Sequence, residues 1–317
     1  MIPSSVFARV VALLLLPAVA ISANQPNPVF RSEARLVLLR ATVRNQRGEL
    51  VTGLDRDAFT VHENGRPQAI TVFRRDDVPV SVGILIDNSQ SMRGKRARVE
   101  AAALAFVRAS NPQDEMFVAS FADKAQVDVP FTSDEAVLEA GFKRLDSIGG
   151  TALRDAVVLG EEYLDAHARR GLKVLLVITD GIDNASAAPP ERIRQGAERS
   201  EILVYAVGIL DPEDASRAAR AREALRDLTE PTGGTAHYPA SVAHTNQAVL
   251  EIARQIRTQY TIGYAPLQQA LDGSYRTLKV RARGAERLTV RTRAGYRATP
   301  RKDDRRSDSD TERKAKP

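Results

Sequence analysis

The sequence predicts an α/β fold: a doubly wound, Rossmann-like sheet of mostly parallel strands that is inserted in, or flanked by, a small all-β sandwich. Two observations support this prediction. Between Val80 and about Tyr260, solid apolar runs alternate with amphipathic helical stretches, which is typical of a parallel sheet covered on both faces. On either side, short alternating runs separated by turn residues are typical of antiparallel strands.

The central region, residues 79–260, predicts a regular series of strands and helices. Five apolar runs predict sheet strands: Val80–Asp87, Met116–Asp123, Lys173–Asp180, Glu201–Ile209 and Thr235–Tyr238. An alternating run that follows a tight turn, Ala125–Phe131, predicts an antiparallel edge strand. Helices are predicted over Lys95–Ala109, Asp134–Leu145, Ala152–Arg169, Pro190–Ser200, Asp214–Glu230 and Thr245–Gln259.

The flanking regions predict one shared β module. Residues 30–78 form an N-terminal β module, and residues 261–297 add strands that are too few to be stable alone. We therefore expect both segments to form a single sandwich. Alternation in the second segment predicts a basic sheet face, solvated or facing an anionic partner, made of Lys279, Arg281, Arg283, Arg291 and Arg293. Residues 298–317 lack apolar periodicity, which predicts a disordered charged tail.

Residues 1–23 have the pattern of a signal peptide. Arg9 precedes the apolar run Val10–Leu16. The small residues that follow this run suit a cleavage site near Ala20 or Ala23. The alternative is an uncleaved anchor, but the apolar stretch is shorter than the ~20 residues that span a bilayer. The sequence therefore predicts an exported protein, periplasmic or secreted, with no stable membrane span after cleavage.

Composition excludes several classes of function. The 317 residues carry a net charge of +6, but 46 basic residues are offset by 40 acidic ones, and aromatic residues make up only 5%. Nucleic acid is therefore not the expected partner. The absence of cysteine excludes disulfides and thiolate chemistry. Because no nucleophile elbow, phosphate-binding loop or dinucleotide fingerprint is present, the protein is not expected to be an enzyme.

Five oxygen-bearing side chains are expected at the carboxyl ends of the central strands, where open α/β sheets bind ligands: Asp87, Ser89, Ser91, Thr151 and Asp180. Such a set suits a hard divalent cation such as Mg²⁺ or Mn²⁺. With only two carboxylates, the cation would keep positive charge and attract an external carboxylate. The alternatives are that the hydroxyls cap helices and that Asp180 belongs to an ordinary strand-end turn.

These residues resemble a known motif. The pattern Asp87-x-Ser89-x-Ser91, the loop Gly149-Gly150-Thr151 and the run Thr179-Asp180-Gly181 resemble the metal-ion-dependent adhesion site of von Willebrand factor type A domains. The flanks are similar to a bacterial subgroup of exported VWFA-related domain proteins. They match at Gly53-Leu54, Asp57-x-Phe59, Glu63-Asn64-Gly65, Pro79-Val80-Ser81-Val82-Gly83 and Gln259-Tyr260-x-x-Gly263-Tyr264.

The resemblance implies roles for these residues. The three hydroxyls, Ser89, Ser91 and Thr151, would bind Mg²⁺ directly, with Mn²⁺ or Ca²⁺ as alternatives. The aspartates would bind directly or through water. Gln90 departs from the subgroup, where glycine is common at this position, which puts partner choice in question.

The function predicted from the sequence is an exported protein-binding module, an adhesion or scaffold protein. It would recognise an Asp or Glu carboxylate of a partner protein through a divalent cation. One alternative is a metal-independent envelope scaffold with a vestigial site. A second is a metal-dependent hydrolase that uses the aspartates and a bound water.

Overall fold

The computed structural model describes residues 36–143 and 148–300. The predicted signal peptide, residues 1–23, and nearly all of the predicted charged tail lie outside the described residues. Strands are Val37–Arg44 (β1), Phe59–Glu63 (β2), Arg66–Gln68 (β3), Ile70–Arg74 (β4), Val80–Asp87 (β5), Glu115–Phe121 (β6), Ala125–Thr132 (β7), Leu172–Thr179 (β8), Leu203–Gly208 (β9), Ala236–His237 (β10), Tyr260–Tyr264 (β11), Tyr275–Ala282 (β12), Thr289–Arg291 (β13) and Gly295–Arg297 (β14).

Six α-helices lie within the described ranges. They are Arg96–Ala109 (α1), Glu135–Phe142 (α2), Leu153–His167 (α3), Pro190–Arg199 (α4), Ala215–Thr229 (α5) and Val242–Arg257 (α6). None of the helices in residues 36–143 and 148–300 is long and apolar enough to cross a membrane.

The central sheet has the order β10-β9-β8-β5-β6-β7, and only β7 runs antiparallel to its neighbour. Every residue of β5 is buried, because helices cover both faces. Successive side chains of a strand point to opposite faces, so Ile84 and Ile86 pack against α1 and α6 while Leu85 packs against α3. The predicted fold class, a doubly wound α/β sheet with two accompanying antiparallel sheets, is confirmed.

Several element ends differ from the sequence prediction, for local reasons. The helix predicted from Thr245 begins at Val242, because the Ser241 side chain accepts a hydrogen bond from the His244 backbone N–H and caps it. The helix predicted from Lys95 begins one residue later and follows a 3-10 turn, Gln90–Lys95. The strand predicted over Thr235–Tyr238 keeps only its two central residues, which pair with β9.

Strands from both flanks of the central region pair in two antiparallel sheets. Their orders are β13-β1-β11-β4 and β14-β12-β2-β3. In the first, Val37 lies opposite Tyr264, and in the second, Val61 lies opposite Val280. The apolar faces of the two sheets share one core, in which Leu39 is fully buried. The α/β region is thus inserted in the chain between β4 and β11.

The prediction of a single basic sheet face is wrong, because the strands that carry its residues belong to two sheets. β12 pairs with β2, whereas β13 pairs with β1 in the other sheet, so the basic residues of the two strands do not share a face. Arg293 is buried and donates hydrogen bonds to the Ala197 and Glu198 carbonyls at the end of α4. Alternation within a strand gives its two faces but does not tell which sheet it joins.

Candidate functional site

The two aspartates of the predicted site lie on neighbouring parallel strands. Asp87 is the last residue of β5, and Asp180 directly follows β8. The Thr179 hydroxyl donates a hydrogen bond of 2.5 Å to Asp87 Oδ2, which ties the two strand ends together. Because parallel strands end at the same edge of a sheet, the first and third parts of the motif are adjacent.

The two serines continue directly from Asp87. The Ser89 backbone N–H donates to Asp87 Oδ1 at 2.9 Å, and the Ser89 and Ser91 hydroxyls form a hydrogen bond with an oxygen separation of 3.1 Å. Neighbouring ligands of an octahedral Mg²⁺ shell, at about 2.1 Å from the metal, are separated by about 3 Å, so this spacing suits a cation. Ser89 precedes the 3-10 turn, but its side chain makes no capping hydrogen bond there.

The Gly149-Gly150-Thr151 loop is fastened to the same edge of the sheet. The Ile148 N–H donates to the Asn88 carbonyl at 2.9 Å, and the Gln90 N–H donates to the Gly149 carbonyl at 3.1 Å. Thr151 is buried and lies before Ala152, which is the residue that caps α3. The alternative prediction, that Thr151 caps α3, is therefore wrong.

Asn184 connects this loop to the one that carries Asp180. Its Oδ1 accepts a 2.8 Å hydrogen bond from the Thr151 N–H, and its own N–H donates to the Thr151 carbonyl at 3.1 Å. All three loops of the motif are therefore joined by direct hydrogen bonds. The neighbouring Asp183 pairs with Arg154 of α3, so its carboxylate holds the loop in place.

A third strand end, that of β6, also supports the site through Asp123. The Gly149 backbone has φ of +81°, and a Cβ built there would lie 2.5 Å from Asp123 Oδ2. Asp123 Oδ1 accepts a 2.7 Å hydrogen bond from the Gly150 N–H. Sequence reasoning did not assign Asp123 a role, although its place at the end of a predicted strand was an available signal.

Asp180 is distinguished by its burial and by the different surroundings of its two carboxylate oxygens. Its side chain is only 4% exposed, and among the described residues its Oδ1 is buried without a hydrogen-bond partner. Its Oδ2 lies 3.3 Å from Arg217 Nη2 and 3.6 Å from Lys95 Nζ. A buried carboxylate oxygen without a partner is costly, so this atom fits a cation ligand. No pattern in the sequence predicts the contact with Arg217, which comes from α5.

The negative charge of Asp87 is unfavourable in this site. Burial raises the pKa of its carboxyl, hydrogen bonds from Ser89 and Thr179 oppose that rise, and the nearby Asp180 charge adds to it. The ionised Asp87 side chain is therefore costly in its surroundings. A bound cation would offset that cost.

The described part of the chain contains no group of three or more His, Asp or Glu side chains arranged to hold a metal ion. The candidate site has two carboxylates, so any cation would depend on hydroxyl oxygens and water for the rest of its ligands. Asp155, a nearby acidic residue, accepts hydrogen bonds from the Ala187 and Ala188 N–H groups and thus serves the loop.

Comparison with known families identifies the class of domain. Residues 82–182 match the family model for the von Willebrand factor type A domain. The resemblance seen in the sequence motif is therefore confirmed over this range. The matched range includes all five predicted site residues.

Solved structures with similar folds include three of bacterial origin. A von Willebrand factor type A protein from Catenulispora acidiphila has 16% identity and a TM-score of 0.48 over 88% of this chain and 77% of that chain. An aerotolerance-related membrane protein from Bacteroides fragilis has 20% identity and a TM-score of 0.44 over 56% of this chain and 98% of that one. The von Willebrand factor domain of a type V pili tip protein from Porphyromonas gingivalis has 16% identity and a TM-score of 0.43, covering 57% and 97%. No curated protein sequence matches this chain significantly.

Proposed function

We propose that this protein is an exported protein-binding module that recognises an acidic group of its partner through a divalent cation. The observation that carries the proposal is the buried Asp180 Oδ1, which has no hydrogen-bond partner among the described residues. It lies on the sheet edge where the motif's three loops are hydrogen-bonded to one another.

The donor set supports a division of roles among the five residues. The hydroxyls of Ser89, Ser91 and Thr151 are the direct ligands in this proposal. Both Asp87 oxygens already accept hydrogen bonds, so its role is to orient the site and act through water, while Asp180 has an oxygen to offer. Mg²⁺ fits this oxygen-only set, with Mn²⁺ or Ca²⁺ as alternatives. When bound, the cation supplies attraction for a carboxylate.

The edge of the site is open to a partner. Ser91 and Gln90 are exposed at the start of the 3-10 turn, whereas Ser89 and Thr151 are buried. A partner carboxylate would therefore approach from the side of Ser91. Gln90 stands beside that path, so its side chain would contribute to the choice of partner.

The proposal is tested by thermal unfolding with Mg²⁺ and with chelator. At ten times the dissociation constant, Mg²⁺ should stabilise the wild type by ~1.4 kcal/mol. Asp180→Asn and Thr151→Ala should lose most of this response, because the first removes a carboxylate charge and the second removes a hydroxyl ligand. Asp227→Asn, an exposed aspartate on α5, is the matched control and should respond like the wild type. An absence of any Mg²⁺ response in the wild type would favour the metal-independent scaffold.

Partner capture tests the second half of the proposal. Capture from native envelope should fail for Thr151→Ala and for the wild type in chelator, and added Mg²⁺ should restore only the latter. Equal capture in all these conditions would contradict cation-bridged recognition. No hydrolytic activity is expected in any of them.

A further inference from the structure

Two basic side chains contact the carboxylate on which the proposed cation site depends. Lys95 ends the 3-10 turn that follows the serines, and Arg217 lies in the first turn of α5. Their nitrogens lie 3.6 Å and 3.3 Å from the same oxygen, Asp180 Oδ2. The Lys95 side chain is 23% exposed, that of Arg217 is 39% exposed and that of Asp180 only 4%, so solvent screens the Lys95 pair less than the Arg217 pair.

The two basic side chains offset the charges of the two predicted carboxylate ligands. Asp87 and Asp180 carry two negative charges when ionised, and Lys95 with Arg217 carries two positive ones. A divalent cation approaching the hydroxyls would therefore be attracted less strongly than by the two carboxylates alone. It would also share Asp180 with two cations that already contact it, and like charges repel strongly at such short distances in a partly buried site.

We propose that Lys95 and Arg217 are built-in competitors of the cation, so that this site binds its metal weakly alone and tightly only together with an acidic partner. This inference rests on the proposed function. A partner carboxylate adds negative charge beside the cation, and it can also pair with Lys95 or Arg217. By thermodynamic reciprocity, the cation and the partner then raise each other's affinity by the same factor.

The alternative is that the two basic residues assist cation binding instead of opposing it. Lys95 and Arg217 would then act only to hold Asp180 in the correct position, leaving its Oδ1 to the cation. Removing them would weaken cation binding under this rival role, whereas it strengthens cation binding under the proposed one. The direction of the change in affinity therefore separates the two.

The test is calorimetric titration of the purified chain with Mg²⁺ alone. Lys95→Gln and Arg217→Gln should each lower the dissociation constant about fivefold, and the double variant should lower it further. Arg220→Gln is the matched control on α5, because Arg220 is exposed and its side chain contacts Ser216 of the same helix. It should leave the dissociation constant unchanged. An unchanged or higher dissociation constant in the double variant overturns the inference.

A second measurement separates this failure from failure of the proposed function. If the wild type binds Mg²⁺, Asp180→Asn abolishes binding, and the double variant binds with wild-type affinity, only the charge competition is wrong. If neither the wild type nor the double variant binds, both proposals fail. In chelator, Arg217→Gln should lower the thermal midpoint, since Asp180 loses a cationic partner, and saturating Mg²⁺ should shrink that difference. An equal difference in both conditions counts against the competition.

Discussion

The hydroxyl of Thr179 connects the ends of the two strands that lead to Asp87 and Asp180. It donates to Asp87 Oδ2 and accepts a 2.9 Å hydrogen bond from the Gly181 N–H, so one side chain fixes both sides of the site. Thr179 is fully buried, and water cannot replace either bond. Its position directly before Asp180 makes it part of the sequence motif, but only the strand register reveals which carboxylate it serves.

Thr179→Val should therefore destabilise the protein by about 1.5–3 kcal/mol, the range for a hydrogen bond to a charged group. It should also weaken Mg²⁺ binding, because Asp87 loses its orientation. Urea unfolding in chelator and calorimetric titration measure the two effects. Thr60→Val, on the exposed side of β2, is the matched control and should change neither. If the two variants behave alike, Thr179 has no such role.

His237 predicts a pH dependence of stability away from the site. Burial lowers the pKa of its imidazole, nearby Arg44 and Arg291 lower it further, and Glu251 opposes them. The unfolded chain therefore binds this proton more readily than the folded one. The free energy of unfolding should fall as the pH drops below about 6.5, the ordinary histidine value.

His237→Gln should flatten that fall between pH 7 and the folded-state pKa. Urea unfolding at a series of pH values measures the slope. His244→Gln, which changes an exposed imidazole at the start of α6, is the control and should retain the slope. A slope that persists in His237→Gln would show that other groups cause it.

Among the structural elements, the Gly149-Gly150-Thr151 loop depends on a left-handed backbone conformation at Gly149. Gly149 and Gly48 both have φ of +81°, a left-handed conformation that costs an alanine about 1–2 kcal/mol. They differ in surroundings: a Cβ at Gly149 meets Asp123, whereas a Cβ at Gly48 has nothing within 4 Å.

Gly149→Ala should therefore destabilise the protein more than Gly48→Ala, and only Gly149→Ala should weaken Mg²⁺ binding. The pair is a matched comparison, because the backbone cost is common to both and the contact with Asp123 is not. Thermal unfolding and titration with Mg²⁺ measure the outcomes. Equal losses of stability, with unchanged Mg²⁺ affinity in both, would contradict the role given to this loop.

Elements and motif positions could be predicted from the sequence because they depend on local pattern. The buried run of β5 leads directly to Asp87, and strand-end geometry then placed Asp180 beside it. Lys95 and Arg217 could not be predicted as neighbours of Asp180, since their contacts depend on how the 3-10 turn and α5 pack. The burial of Arg293 was missed for the same reason: sheet membership is a long-range property.

At the scale of the whole molecule, the chain leaves one β module and returns to it. β11 lies between β1 and β4, and β12 lies between β2 and β14, so each sheet needs strands from both sides of the α/β domain. The sandwich core is therefore assembled from residues more than 200 positions apart, such as Val37 and Tyr264. Neither flank can bury its apolar face without the other.

Deleting residues 260–317 should thus leave the N-terminal strands exposed and cause aggregation in size-exclusion chromatography. Deleting only residues 301–317 is the control, because it keeps every described strand and should give a single monodisperse species. If the longer deletion stays monodisperse with a folded N-terminal segment, the shared core does not hold the module together.

In the proposed function, a divalent cation binds at the sheet edge formed by Asp87, Ser89, Ser91, Thr151 and Asp180. The most direct test is a crystal structure grown with Mn²⁺, with an anomalous difference map at the manganese absorption edge. We expect one strong peak at about 2.1–2.3 Å from the hydroxyl oxygens of Ser89, Ser91 and Thr151, within the usual range for oxygen ligands of such cations. A map with no peak there, or with its strongest peak elsewhere on the chain, would show that this sheet edge is not the cation site.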